Sequence, residues 1–160
     1  MYLIDSDVFI DAKNRHYAFD IVPAFWDWLV QAHQAGIVFT VQRVADEVLA
    51  GGDELASWMK AQPPSFRLAV GPDDHVALAA VVSWVNAAGY TSAAVSTFLA
   101  AGDYFLVAQA ISLGYTVVTQ ETSDPVSKKR VKIPDACKAM QVPWMTPFKM
   151  LSTENARFVL

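Results

Sequence analysis

With 160 residues, 54% of them hydrophobic and 12% aromatic, the chain has the apolar content for one sizeable core, which argues against two domains or a disordered tail. A single domain over residues 1–160 is expected. The formal net charge of -4 excludes a nucleic-acid coat held by a global basic field, so any contact with a polynucleotide must rest on a local patch.

Taken in order, Tyr2, Leu3 and Ile4 form a short apolar run ending at Asp5-Ser6-Asp7, and the pattern reads as strand, acidic turn, helix. An acid this early stands where a secretory leader needs an unbroken apolar core, so no signal peptide is expected. Asp20 reads as an N-cap, with Pro23 in the first turn and Phe25, Trp26, Leu29 and Ala32 at helical spacing before Gly36. A strand over residues 37–41 follows. From Gln42 a helix carries Val44 and Val48 at i and i+4, which sets Glu47 beside the buried stripe, and Gly51-Gly52 ends it.

Asp53 is placed to cap a further helix through Met59, Pro63-Pro64 breaks the chain, and residues 66–70 read as a strand. Helices then run to Gly114, with breaks near Gly89-Tyr90 and at Gly102. The most apolar stretch, residues 76–90, is interrupted by Ser83 and Asn86 and falls short of the roughly 20 residues a bilayer requires, so a buried helix and no membrane are expected. Asp103 heads a helix carrying Phe105, Leu106, Ala108 and Ile111, where a negative charge also suits the helix dipole. Residues 115–119 are the clearest buried strand. A polar stretch over residues 120–132 follows, then a short helix from Pro134, a strand over residues 142–145 and a last helix opening at Pro147.

Helices alternating with strands predict an α/β three-layer sandwich with a largely parallel central sheet, a class whose ligand sites lie beyond the carboxyl ends of the strands. Asp5 and Glu121 both fall at such ends. Cys137 stands alone, with no second thiol or histidine at ligand spacing, so it belongs to the core of a protein from a reducing, cytoplasmic compartment. His16, His33 and His75 form no ligand set. The acids that remain are Asp5 after the first strand, Glu47 on a helix, Asp103 at a helix start and Glu121 after the buried strand. Dispersed carboxylates of this kind suit Mg2+ or Mn2+, which take few direct protein ligands. Each alone is equally a turn, cap or surface charge.

Together, their order and flanks resemble the PIN-domain nucleases, including the VapC-type toxins of toxin–antitoxin modules. The resemblance rests on Leu3-Ile4-Asp5-Ser6-Asp7-Val8, on Val44-Ala45-Asp46-Glu47-Val48, on Ala101-Gly102-Asp103-Tyr104-Phe105-Leu106 and on Gly114-Tyr115-Thr116-Val117-Val118-Thr119-Gln120-Glu121. It departs from the family in carrying Glu121 where an aspartate is commoner, and in a longer middle region. The basic loop through Lys128, Lys129, Arg130 and Lys132 resembles a less-studied branch, in which Asp135 is an additional or substitute acid. The resemblance implies a PIN-like fold and a Mg2+- or Mn2+-dependent endoribonuclease. Asp5, Glu47, Asp103 and Glu121 would be its metal-holding catalytic acids, with Ser6, Asp7 and Thr119 in support, and its partners an antitoxin and, by an apolar face, a second copy. Lys13, Arg15, Lys128, Lys129, Arg130 and Lys132 are the candidates for RNA phosphates, against the alternative of a solvated, mobile loop.

Two other readings stay open. Asp5-Ser6-Asp7 also resembles the start of a haloacid-dehalogenase-type phosphatase, in which the first aspartate is the nucleophile. A non-catalytic PIN-like module that binds RNA or protein, its acids serving as caps, is the other.

Overall fold

The computed structural model describes residues 1–158; residues 159–160 of the expected domain lie outside the described ones. Five parallel strands form the central sheet: β1 (Tyr2–Ile4), β2 (Val38–Val41), β3 (Arg67–Leu68), β4 (Thr116–Val118) and β5 (Trp144–Met145), in the order β3-β2-β1-β4-β5. Leu3 faces Phe39 on one side and Val117 on the other. The chain thus builds outward from β1 through β2 to β3, then returns to lay β4 on the opposite side of β1. This reversal makes the carboxyl ends of β1 and β4 the topological switch point, where open α/β sheets bind ligands.

Alternate strand residues point to opposite faces, and the core divides accordingly. Tyr2, Ile4, Val38 and Val118 join one cluster with α1 (Ser6–Asp11), α2 (Pro23–Gln34), α4 (Glu54–Ala61) and α9 (Pro147–Thr153). Leu3, Val41 and Val117 join the other, with α5 (His75–Ala87), α6 (Ser92–Ala100), α7 (Gly102–Leu113) and α8 (Ile133–Ala139). Helix α3 (Gln42–Ala50) serves both, giving Ala45 and Val48 to the first and Val44 to the second. The three-layer α/β sandwich is therefore the observed architecture.

Several boundaries differ from the sequence reading. Helix α1 opens directly after Asp5, whose side chain accepts the Ser6 amide as an N-cap, and it passes into a single π-helical turn at Ala12–His16. The start of α2 is set by Val22 and Pro23, not by Asp20, which stays in a turn. Strands β3 and β5 are two residues each, because they lie at the sheet edges and pair on one side only. Asp53 caps α4 as expected, accepting the Ala56 amide at 3.0 Å. Gly114 closes α7 in the left-handed conformation, at φ 68°, and this tight turn delivers the chain to β4. Among the described residues no single helix is long and apolar enough to cross a membrane, although α6 and α7 together form a bent pair of sufficient length and composition.

Candidate acidic site at the sheet switch point

Asp5 leaves the end of β1 and is 1% exposed. Its backbone amide donates to the carbonyl of Val118, so the two central strand ends hold it from below. One carboxylate oxygen accepts the Ser6 amide at 2.7 Å, and the other accepts the Thr119 hydroxyl at 3.0 Å. Thr119, fully buried after β4, also receives the Glu121 amide at 3.1 Å on its Oγ1. One hydroxyl therefore orients Asp5 and fixes the start of the following loop, and the sequence reading had both Ser6 and Thr119 in supporting positions.

Asp103 reaches the same region from the first turn of α7. Helix α3 is fastened at two points one helical turn apart, to the start of α7 and to the end of α6. Glu47 Oε1 accepts the Gly102 amide at 2.7 Å, and Arg43 donates to the carbonyl of Ala100 at 3.2 Å. The approach depends on Gly102, where a Cβ would stand 2.9 Å from Val44 Cγ2 and 3.1 Å from Glu47 Oε1. Sequence reasoning took Gly102 only as a helix break and missed this requirement.

The electrostatics show that these acids share one neighbourhood. Burial, followed by the charges of Glu121, Glu47 and Asp7, pushes the Asp103 carboxyl up to about 6. Burial, then Asp103 and Asp7, raises Asp5 well above the ordinary carboxylate range, against the bonds from Thr119 and Ser6. Asp7 is raised as well, by burial and then by Glu121 and Asp11, with Arg130 and Lys132 opposing. Carboxylates crowded in this way repel one another unless a cation stands among them.

Glu121 is different. Its Oε1 accepts Arg130 Nη2 at 2.6 Å, with Lys132 Nζ at 3.5 Å, and its Oε2 accepts the Ile133 amide at 2.8 Å. Both oxygens are engaged by the loop that follows, so Glu121 anchors this loop while contributing charge to Asp103. Asp135 is likewise committed, accepting the Ser123 hydroxyl and, at 3.0 Å, the Asp124 amide. It clasps the two ends of the loop.

The basic residues separate into distinct environments. Lys13 pairs with Asp53, and Arg15 lies 3.4 Å from Asp11. Lys128 lies over the Tyr90 ring at 4.7 Å, while its carbonyl accepts the Thr91 amide at 3.0 Å. Residues 120–132 form a strap anchored by the buried Val131 and leading to the buried Ile133, with Lys128, Lys129 and Arg130 exposed along it. Arg130 and Lys129 border a cavity of about 360 Å³ that also reaches Asp103. Cys137 is fully buried, and burial with the nearby Asp5 charge pushes its thiol up to about 12, which suits the core role expected of it.

The all-oxygen donor set fits a hard divalent cation, and Asp5, Glu47 and Asp103 are the residues that could hold one. Among the described residues no three acidic, histidine or cysteine side chains close on a single point. A cation here would take one or two carboxylates directly and complete its shell with water and substrate oxygen, which is the usual habit of Mg2+.

The fold is a PIN-like α/β sandwich, with carboxylates gathered at the sheet switch point. The family described as a domain of unknown function, DUF4411, matches residues 2–158, and the chain belongs to it. A chain in the solved structure of FitAB bound to an IR36 DNA fragment is similar over 92% of this chain and 96% of its own length, with a TM-score of 0.56 and 19% identity. The comparison with curated proteins returned no match.

Proposed function

We propose that this protein is a Mg2+- or Mn2+-dependent endoribonuclease, acting as the toxin of a toxin–antitoxin pair. The observation that carries the nuclease reading is the set of mutually repelling carboxylates at the switch point, with Asp103 pushed up to about 6 by burial and by Glu121, Glu47 and Asp7. A protein that spends stability to hold acids together gains it back when a cation binds. When bound, the divalent ion supplies Lewis-acid polarisation of a phosphodiester and an activated water.

The chain's own residues have separable tasks. Asp5 would provide an oxygen ligand from the end of β1, its carboxylate oriented by the Ser6 amide and the Thr119 hydroxyl. Asp103 supplies the second carboxylate from the start of α7, and Glu47 ties α3 to that helix start while adding negative charge at the rim. Glu121 contributes to the field and, through its bond to Arg130, holds that guanidinium beside the acids. Asp7 supports the cluster electrostatically. Asp135 acts at a distance, through the shape of the strap.

The antitoxin partner rests on the resemblance to toxin nucleases and on the likeness of fold to a chain of FitAB. A cytoplasmic setting and pairing with a second copy belong to the same reading.

The test is single-turnover cleavage of end-labelled, largely unstructured RNA by the purified protein with Mn2+, with EDTA, and with Asp103→Asn. Cleavage in Mn2+ alone supports the nuclease. Absence of cleavage in all three, or equal cleavage by Asp103→Asn, overturns it.

A further inference from the structure

A second cavity lies at the edge of the sheet, against the C-terminal half of α7, and shares no lining residue with the cavity beside Asp103. Its volume is about 300 Å³. Leu68 and Ala69, at the end of β3, form one wall, and Gln109, Ser112 and Leu113 of α7 form another. Asp73 and Asp74 close it in the short turn before α5.

The polar groups of this cavity are unbalanced in one direction. Gln109 is 2% exposed, and its amide nitrogen donates to the carbonyls of Leu68 at 3.4 Å and Ala69 at 3.2 Å. A carbonyl can only accept, so these two bonds fix which end of the amide is nitrogen and spend both of its protons. The amide oxygen has no partner among the described residues. The side-chain atom sealed off without a partner there is Arg67 Nε, so the Gln109 oxygen opens on the cavity that Gln109 lines. Ser112 has one hydroxyl proton, within reach of Asp74 Oδ1 and of the main-chain carbonyl of Gln109. Asp74 Oδ2 accepts the Gly71 amide at 2.8 Å. The side-chain donors of the lining are therefore spent, while acceptor capacity remains on the Gln109 oxygen and on both carboxylates. Neither Asp73 nor Asp74 forms an ion pair among the described residues, although Asp74 is only 7% exposed. A carboxylate this deep normally has a cation beside it.

The surroundings select the kind of cation. Among the described residues no three acidic, histidine or cysteine side chains close on a single point, and Leu68, Ala69 and Leu113 offer hydrocarbon for which a hydrated metal has no use. A primary ammonium has three N–H donors and no acceptor, and it carries an apolar stem. We propose that this cavity binds a primary alkylammonium, its N–H groups donating to Asp73, Asp74 and Gln109 Oε1 and its stem packing on Leu68 and Leu113. A free diamine and a lysine side chain of another protein present this same group. The inference stands apart from the metal and phosphodiester chemistry at Asp103.

The experiment is two-dimensional amide NMR of the native protein, titrated with n-butylammonium at neutral pH and, as the uncharged counterpart, with n-butanol. The Gln109 side-chain amide and the Gly71 amide are expected to shift saturably with the amine. The alcohol is expected to bind about tenfold more weakly, the size of a lost charge-assisted hydrogen bond. Asp74→Asn, which keeps an oxygen for the Gly71 amide, is expected to weaken amine binding by about the same factor. Asp73→Asn, at an exposed position, is expected to weaken it several-fold with an unchanged Tm. Ala69→Trp fills the cavity from another exposed position and is expected to abolish the shifts. Titrations with putrescine and with Nα-acetyl-lysine methylamide separate the two sources. Tighter binding of putrescine assigns a free diamine and tighter binding of the lysine derivative assigns a protein partner, and either supports the site. Equal shifts with n-butanol, native affinity in Asp73→Asn, or shifts that persist in Ala69→Trp overturn the proposal. Displacement of the amine by equimolar Mg2+ overturns it in favour of a metal site.

Discussion

At the residue scale, the cleft sets two carboxylates against stability. Asp103 is charged at neutral pH only at a cost, because burial and three neighbouring acids favour its protonated form. Asp103→Asn removes that cost. The metal-free variant is expected to be more stable than the native chain at pH 7.5, by about 1–2 kcal/mol from the rule that each pKa unit is worth about 1.4 kcal/mol, discounted for a half-buried group. The same variant is expected to lose RNA cleavage. A melt and a cleavage assay on one preparation check both, and a destabilised Asp103→Asn would contradict the electrostatic reading. Thr119→Val is the complementary case. It keeps the shape but deprives Asp5 of a donor and the buried Glu121 amide of its acceptor. Activity or metal affinity is expected to fall about 10–100-fold, as for other residues that orient metal ligands.

At the scale of elements, the contact between α3 and the start of α7 determines whether Glu47 and Asp103 share a site. Gly102→Ala pushes a methyl into Val44 Cγ2 and the Glu47 carboxylate. The expected loss is about 1–3 kcal/mol, typical of an overpacked contact, together with weaker metal binding. Thermal unfolding and Mn2+ titration of this variant check it. The strand ends and helix starts that carry Asp5, Asp103 and Glu121 were legible in the sequence, because short apolar runs broken by acids and a glycine turn are local signals. The pairing of Glu121 with Arg130, nine positions on, was not legible. A basic run has the same sequence signature whether it is solvated or folded back, and here Lys128, Lys129 and Arg130 stay exposed while Val131 and Ile133 beside them are buried. The lengths of β3 and β5 also escaped the sequence, since an edge strand ends where its single neighbour ends and residue type does not record that. The role of Asp135 depends on Ser123 and Asp124, brought to it by the strap's return.

For the whole molecule, the raised carboxyls predict how stability follows pH. Asp5 and Asp103 both titrate higher in the folded chain than the ordinary value of an unfolded aspartate. The folded state therefore binds more protons between about pH 4 and 6. In the metal-free protein the penalty is fully present above the folded pKa and is relieved as pH falls toward the unfolded one, so Tm is expected to rise from pH 7.5 to pH 5 by roughly 2–4 °C for Asp103 alone. Saturating Mn2+ at pH 7.5 is expected to raise Tm as well and to flatten this dependence, because the ion replaces the protons. A Tm that falls steadily with acidification over that range would show that carboxylate repulsion is not a term in the stability.

The central claim is that the acids at the switch point form a divalent-metal centre for phosphodiester cleavage. Its most direct test is Mn2+ binding followed by electron paramagnetic resonance, with RNA cleavage measured on the same samples, for the native protein and for Asp5→Asn and Asp103→Asn. The account predicts that Mn2+ binds the native chain, that each variant binds at least tenfold more weakly, and that cleavage declines in step with occupancy. Equal Mn2+ binding by all three proteins, or cleavage that persists in EDTA, would contradict it.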